Sequence, residues 1–282
     1  MLGVFQRRKI LNVLVMGILY GATLLALVPL FSVFYCVVSR GWPAITLDFF
    51  TKLPSPVGEV GGGIGNAILG TATLVGMASL VGIPWGIIIG IYLSEYGRGR
   101  RATTVRLAVD ILGSVPSIII GLFVYTIMVI PMRGFSAYAG ATALAILMVP
   151  TIARVTEEIF KLVPNTVRES GLALGLSRWK VILFLVLRGT FSSILTGVML
   201  SVARIIGETA PLLFTALSNS YWQRSLSQPV ASVPVQIYNY AISPFDDWHQ
   251  KAWGGAFLLT VLIFILNLGT RMVSHPFSGR AS

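Results

Sequence analysis

Residues 11–37 read LNVLVMGILYGATLLALVPLFSVFYCV, 27 consecutive positions without a charged side chain. A helix needs about 20 predominantly apolar residues to cross a hydrocarbon core of about 30 Å, so this stretch can span a bilayer. Apolar runs recur at Asn66 to Leu93, Thr104 to Pro131, Ala137 to Ile152, Val181 to Leu217 and Trp253 to Val273. Over its 282 residues the chain is 55% apolar and 11% charged, against roughly 25% charged in soluble domains. A water-soluble globule of this size could not hide that much apolar surface. The expected fold class is therefore all-α, a polytopic membrane protein with about six transmembrane helices. The spans fall at about residues 11–37, 66–95, 104–131, 137–157, 189–217 and 252–273, in one transmembrane domain (11–273) between short tails, 1–10 and 274–282.

A formal net charge of +11 would suggest nucleic acid in a soluble protein, but here the basic residues alternate between gaps. Arg7, Arg8 and Lys9 precede the first span, and Arg98, Arg100, Arg101 and Arg106 accompany the second gap. Arg154, Lys161, Arg168, Arg178, Lys180 and Arg188 flank the fourth, and Arg271 and Arg280 follow the last span. The other side carries only Arg40, Lys52, Arg133, Arg224 and Lys251. By the positive-inside rule both termini face the cytoplasm, and the chain is a multi-pass protein of the plasma membrane in contact with lipid. No nucleic-acid partner is needed. The basic N-terminus followed by a long apolar run without a small-residue cleavage site reads as an uncleaved first span. Cys36 is alone, so no intrachain disulfide and no metal cluster are suggested.

The run from Val181 to Leu217 has 37 residues, which at 1.5 Å per residue would extend roughly 55 Å, more than one crossing. We divide it into an interfacial helix, Ser177 to about Arg188, with Ser177 as N-cap, and a crossing from Gly189 to Leu217. The small residues Gly189, Ser192, Ser193, Gly197, Ser201, Ala203 and Gly207 permit close helix approach and predict a tightly packed central helix. Gly41 to Gly65 reads as a loop with room for a short helix. Tyr221, Trp222, Tyr238, Tyr240, Trp248 and His249 in the segment 218–250 fit an interfacial aromatic belt or a docking surface.

Two places break the rules a bilayer imposes. Arg204 and Glu208 lie within the crossing, where an isolated charge costs about 2.5 to 3.5 kcal/mol. Their i, i+4 spacing puts them on one face, either as an ion pair that fixes packing or facing a wet cavity. An arginine stays charged and offers forked donors suited to an oxyanion. Arg154, after Pro150, is either an interfacial anchor or a second such site, and Asp110 is close enough to Arg106 to pair or to snorkel. The other place is the link 161–180. Pro164 suits a helix start and Gly175 a left-handed stop, and between them Val167, Leu172 and Leu174 are too apolar for a solvated loop. Such a helix can seat in a groove on a partner.

Glu169-Ser170-Gly171, then Gly175, resembles the EAA loop of ABC importer permeases, with Ser170 and Gly171 in place of two alanines and Arg188 at the terminal proline position. Ala203 to Ala216, Gly61-Gly62-Gly63-Ile64-Gly65-Asn66-Ala67, Val115-Pro116-Ser117-Ile118, Gly121-Leu122-Phe123 and Arg154-Val155-Thr156-Glu157-Glu158 are similar to A-type permeases of phosphate-specific ABC importers. The resemblance implies the type I (MetI-like) importer fold and a non-enzymatic transport subunit without cofactor or metal. It also implies a C-type permease partner, two ATP-binding subunits and an extracytoplasmic phosphate-binding protein. It assigns Arg204, Glu208 and Arg154 to substrate translocation, and Glu169, Ser170, Gly171 and Gly175 to ATPase coupling. No GxxxxGK[ST] motif occurs in the chain, so energy must come from a partner. Two rival readings remain. A permease for sulfate, molybdate or phosphonate keeps the fold, and a proton-coupled secondary transporter would use the same buried charges without an ATPase.

Overall fold

A computed structural model describes residues 2–56, 58, 59 and 61–278, leaving aside the side chains of residues 2, 271 and 273–278. The expected tail 274–282, with the side chains of Arg271 and Arg280, lies wholly or partly outside the described residues. The helices are α1 (Leu2–Gly41), α2 (Leu47–Thr51), α3 (Gly65–Tyr96), α4 (Gly99–Ser114), α5 (Ser117–Met132) and α6 (Ala137–Leu162). Then follow α7 (Asn165–Ala173), α8 (Arg178–Ile206), α9 (Ala210–Thr215), α10 (Val233–Ala241) and α11 (Asp246–Ser278). Among the described residues the only strand-like pairing is an isolated bridge between Pro54 and Gly62. Helices α1, α3, α6, α8 and α11 are each long and apolar enough to cross a membrane, and α4 with α5 passes the same test as a bent pair.

The most extensive packing joins α3 to α6, which run parallel. Gly82, Gly86 and Gly90 present bare backbone on one face of α3, against Met148, Ile152 and Thr156 of α6. A Cβ added to Gly86 would stand 2.6 Å from Ile152 Cβ, and one added to Gly90 2.5 Å from Thr156 Cβ. In lipid, where apolar side chains gain little by leaving one apolar medium for another, such close approach is what holds helices together. Small residues on α6, Ala137, Ala139, Ala141, Ala143 and Ala145, are themselves buried, and α6 is the most buried span. The central helix is thus α6, where the sequence reading expected the crossing at 189–217. The small residues of α8 do permit close contact, as Gly197 lies against Val155, but the glycine face of α3 selects α6.

Proline and glycine divide the other walls. At Val115–Pro116 the chain turns by 102° between α4 and α5. Val115 is extended, as the residue before proline prefers, so the expected kink in span 104–131 is a full break. A second break separates α8 from α9. Gly207 caps α8, and Pro211 lacks the N–H that a continuous helix would need and crowds the carbonyl four residues earlier. The expected crossing 189–217 is therefore not one helix. Nor does an interfacial helix end at Arg188, because α8 runs unbroken from Arg178 through a π-helical stretch, Val181–Leu187, to Ile206. Ser177 precedes α8 as its N-cap residue, but its hydroxyl makes no capping bond.

At the end opposite the basic residues, α2 is capped by Thr46, whose hydroxyl accepts from Phe49 N at 3.2 Å. Helix α10 and its buried Tyr240 fill the segment read as an aromatic belt. Tyr240 packs on Trp248, ring centroids 4.9 Å apart, whereas Tyr221, Trp222 and Tyr238 stay exposed. Among the described residues helix α1 joins the bundle near its C-terminal end, where Gly41 meets Trp253 and Phe257.

The α3–α6 seam leaves no room for a side chain. Gly86→Leu is expected to lower the stability of the detergent-solubilised chain by about 1 to 3 kcal/mol through overpacking. Gly76→Ala on an open face of α3 is expected to leave the thermal unfolding midpoint unchanged or slightly raised.

Candidate functional site

Arg204 occupies the last turn of α8, where its positive charge complements the free carbonyls of the helix end. The turn closes with Gly207 N donating to Arg204 O and Glu208 N to Ile205 O, both at 3.2 Å. Glu208 thus lies just past the helix, yet its Oε1 stays 3.8 Å from Arg204 Nε. That is ion-pair range without a hydrogen bond. The Arg204 side chain is 56% exposed and that of Glu208 17%. Leu200 and Arg204 of α8, with Gly207 just past its end, form an exposed stripe that is left uncovered among the described residues. The break holding Glu208 is braced from behind, because Gly121 of α5 sits against Pro211, where a Cβ would meet Pro211 Cα at 2.6 Å. Irregular backbone in a membrane requires such protein packing around it.

Arg154 belongs to a second polar group, nearer the basic end. Its neighbour Val155 packs on Gly197, and Gly197 to Arg204 is seven residues of α8, so the two arginines are offset by about 10 Å along the helix. Arg154 ion-pairs with Asp110 of α4 and stands 3.7 Å from Glu157 Oε2. Glu157 is fully buried. Its Oε1 accepts from Arg106 Nε at 2.9 Å and Lys161 Nζ at 2.6 Å, while Oε2 has no hydrogen-bond partner. The sequence reading left Asp110 either paired with Arg106 or snorkelling. Instead α6 brings Glu157 to Arg106 and leaves Asp110 to Arg154, since Val109 and Ala153 pack the two helices together. Arg154 and Asp110 are each about 40% exposed and Lys161 about half, whereas Glu157 between them is closed off.

At the basic end, the helix expected between Pro164 and Gly175 forms as α7. Gly175 adopts φ +78°, its N–H donates to Leu172 O and Leu176 N–H to Gly171 O, the paired bonds of a Schellman stop. Gly171 is buried on Val181 of α8, where a Cβ would come within 2.9 Å of a methyl group. Glu169 and Ser170 are exposed, and Leu172 and Leu174 beside them leave apolar surface uncovered. The structure therefore separates the four motif residues, with Gly171 and Gly175 shaping the helix and Glu169 and Ser170 on its open side.

Three features escaped the sequence reading. The glycine face of α3 was legible as repeated four-residue spacing. Glu157 stood in a quoted motif but drew no separate role. Glu95, buried and ion-paired with Arg168 at 2.6 Å, gave no local signal, because its partner is 73 positions away.

A bundle of broken helices around a glycine-packed pair, with a short helix projecting at the basic end, is the fold of ABC importer permeases. A chain of a bacterial alginate ABC transporter, solved with its pentasaccharide-bound periplasmic protein, matches with a TM-score of 0.69. That match is at 14% identity and covers 94% of this chain and 95% of the other. A chain of the inward-facing MetNI methionine ABC transporter matches with a TM-score of 0.60 at 15% identity, over 76% of this chain and 94% of the other. The chain belongs to the family described as binding-protein-dependent transport system inner membrane component, whose model matches residues 82–276. Within that family it is 46% identical over 269 residues to the phosphate transport system permease protein PstA of Haemophilus influenzae, covering 95% of each chain. It is 44% identical to PstA of Yersinia pestis (95% of this chain, 90% of the relative) and 35% identical to PstA 1 of Mycobacterium tuberculosis strain CDC 1551 (95% and 90%).

Removing the acid at the centre of the polar group would leave Arg106 and Lys161 without their buried counter-charge. Because those cations are themselves partly exposed, Glu157→Gln is expected to cost about 1 to 3 kcal/mol, the worth of charged hydrogen bonds lost around a buried acceptor. It should be read as a lowered unfolding midpoint of the solubilised chain, whereas Asp110→Asn at the open pair should cost under about 1 kcal/mol.

Proposed function

We propose that this chain is a transmembrane permease subunit of an ATP-driven phosphate importer and forms half of the translocation pathway. The relatives named for phosphate transport cover nearly the full chain. The observation that carries the reading is the half-exposed Arg204 side chain at the α8–α9 break, its guanidinium held in ion-pair range by Glu208 but not saturated by it. A phosphate shedding water in a membrane needs a fixed positive group with forked donors. Glu208 restrains the guanidinium and competes for it, which keeps the site weak enough to release the anion. Arg154, nearer the basic end and shared between Asp110 and Glu157, offers the next positive group along the path.

The open stripe on α8 is the side on which a C-type permease subunit completes the pathway. The chain carries no nucleotide-binding motif, so two ATP-binding subunits supply the energy, and an extracytoplasmic phosphate-binding protein delivers the cargo to the end opposite the basic residues. Both termini are cytoplasmic in this arrangement, because the basic end is the inner one. The exposed Glu169, Ser170 and Leu172 of α7 then face the ATPase, with Gly171 and Gly175 setting the helix against α8. ATP binding closes the ATPase dimer and moves α7, and alternating access follows.

The test is phosphate uptake into proteoliposomes holding the complete complex with its binding protein. Arg204→Gln is expected to lower uptake at least about ten-fold, the worth of a charged hydrogen bond to a desolvated anion, while the ATPase subunits still co-purify. Unchanged uptake would make Arg204 a packing residue. Sulfate, molybdate and phosphonate should fail to compete, and uptake driven by a pH gradient without ATP would favour a secondary transporter.

A further inference from the structure

The ion pair between Arg168 and Glu95 ties α7 to two spans at once. Glu95 lies in the π-helical end of α3, Tyr92–Tyr96, with its side chain only 5% exposed. Arg168 Nε donates to Glu95 Oε1 at 3.0 Å and Oε2 at 3.2 Å, and Nη2 donates to Oε1 at 2.6 Å. The same guanidinium caps the end of α6, with Nη1 donating to Val163 O at 2.6 Å and Pro164 O at 3.5 Å, and Nη2 to Phe160 O at 2.9 Å. All five guanidinium donors are thereby directed at protein acceptors, a capacity that only arginine has. The α8 side is joined too. Arg178 Nη2 donates to Glu95 O at 2.7 Å, and its guanidinium stacks 5.0 Å from the centre of the Tyr96 ring.

A surface pair between flexible side chains would transmit nothing, because each end could swing free. This one is buried, forked and anchored on backbone carbonyls, so a displacement of α7 cannot occur without moving the ends of α3 and α6 or breaking charged hydrogen bonds. Beyond the joint, the glycine seam makes α3 and α6 a rigid unit, and α6 carries Arg154. Closely packed interiors shift as bodies and do not deform gradually.

We propose that Glu95 and Arg168 are the positioning residues that make α7 move as one body with α3 and α6, so that ATPase closure reaches the translocation path. Neither touches the cargo. The inference rests on the reading of α7 as the ATPase-facing helix, and it adds a pair of residues outside the Glu169 to Gly175 motif, one of them in a different span.

The experiment uses the complete complex in proteoliposomes, measuring phosphate imported per ATP hydrolysed and the stimulation of ATPase activity by the phosphate-loaded binding protein. Glu95→Gln and Arg168→Gln are each expected to lower phosphate per ATP at least about five-fold, the lower end of a typical coupling between sites. The double variant should fall no further than either single one, because two residues acting through one contact are not additive. Arg168→Lys should give an intermediate value, since a lysine restores the charge but not the fork. A role confined to stability would lower the yield of assembled complex and leave phosphate per ATP at the wild-type value, which would overturn the proposal. Additive losses in the double variant would overturn it as well. If Glu95→Gln does not assemble, Glu95→Asp keeps the charge with a shorter reach, and the same ratio decides. Failure of the wild-type chain to recover ATPase subunits from solubilised membrane would sink the reading of α7 itself. Recovery with unchanged ratios in the variants sinks the joint alone.

Discussion

Gly82, Gly86 and Gly90 bring the bare backbone of α3 close against α6, and the buried polar groups around Glu157 and Glu95 are built on that close approach. With ordinary side chains at those positions the two helices would stand at the 8 to 10 Å separation usual for packed helices or beyond it. Glu157 is fully buried because α6 is enclosed on the α3 side, and Arg106 reaches it from α4 with a 2.9 Å hydrogen bond. Glu95 reaches Arg168 because the end of α3 is carried alongside the end of α6, whose last carbonyls the same arginine caps. In a lipid medium the hydrophobic effect does not select one helix partner over another, so small-residue contact and charged hydrogen bonds do the selecting.

The two broken walls are a consequence of the same economy. Continuous helices satisfy their own backbone, and a break exposes carbonyls that hydrocarbon cannot solvate. Here the breaks at Val115–Pro116 and at 207–209 are connected by the contact of Gly121 with Pro211. Protein packs against the second break on one side and leaves the Arg204 side chain open on the other, with Glu208 largely covered beside it. A helix terminus, a cation and a nearby acid thus come together on an exposed face of the wall, without an unsupported gap in it.

Charge is distributed with a gradient of exposure. Glu95 and Glu157, closed in by arginine and lysine, hold helices to one another. The Arg154–Asp110 pair and the Arg204 side chain are more open, and the two arginines keep donor capacity for a third party. Tight buried pairs suit mechanical joints, since breaking them is costly, and loose pairs suit transient anion contact, since exchange of one acid for another costs little.

How much of this was legible varied with the range of the interaction. The apolar runs alone determined that the chain is helical and membrane-embedded, because bilayer thickness is a property of the solvent and acts on each segment separately. The stop at Gly175 and the start after Pro164 were equally local, set by backbone preferences of single residues. The breaks at Pro116 and Pro211 were visible as prolines, but a proline can kink or break a helix, and the packing of Gly121 on Pro211 accompanies the break at 207–209. The centrality of α6, the exchange of partners among Arg106, Asp110, Arg154 and Glu157, and the joint between Glu95 and Arg168 were decided only in three dimensions. The pairs Arg154–Asp110, Arg106–Glu157 and Arg168–Glu95 join groups 44 to 73 positions apart, and Coulomb attraction depends on separation in space, about which residue order is silent.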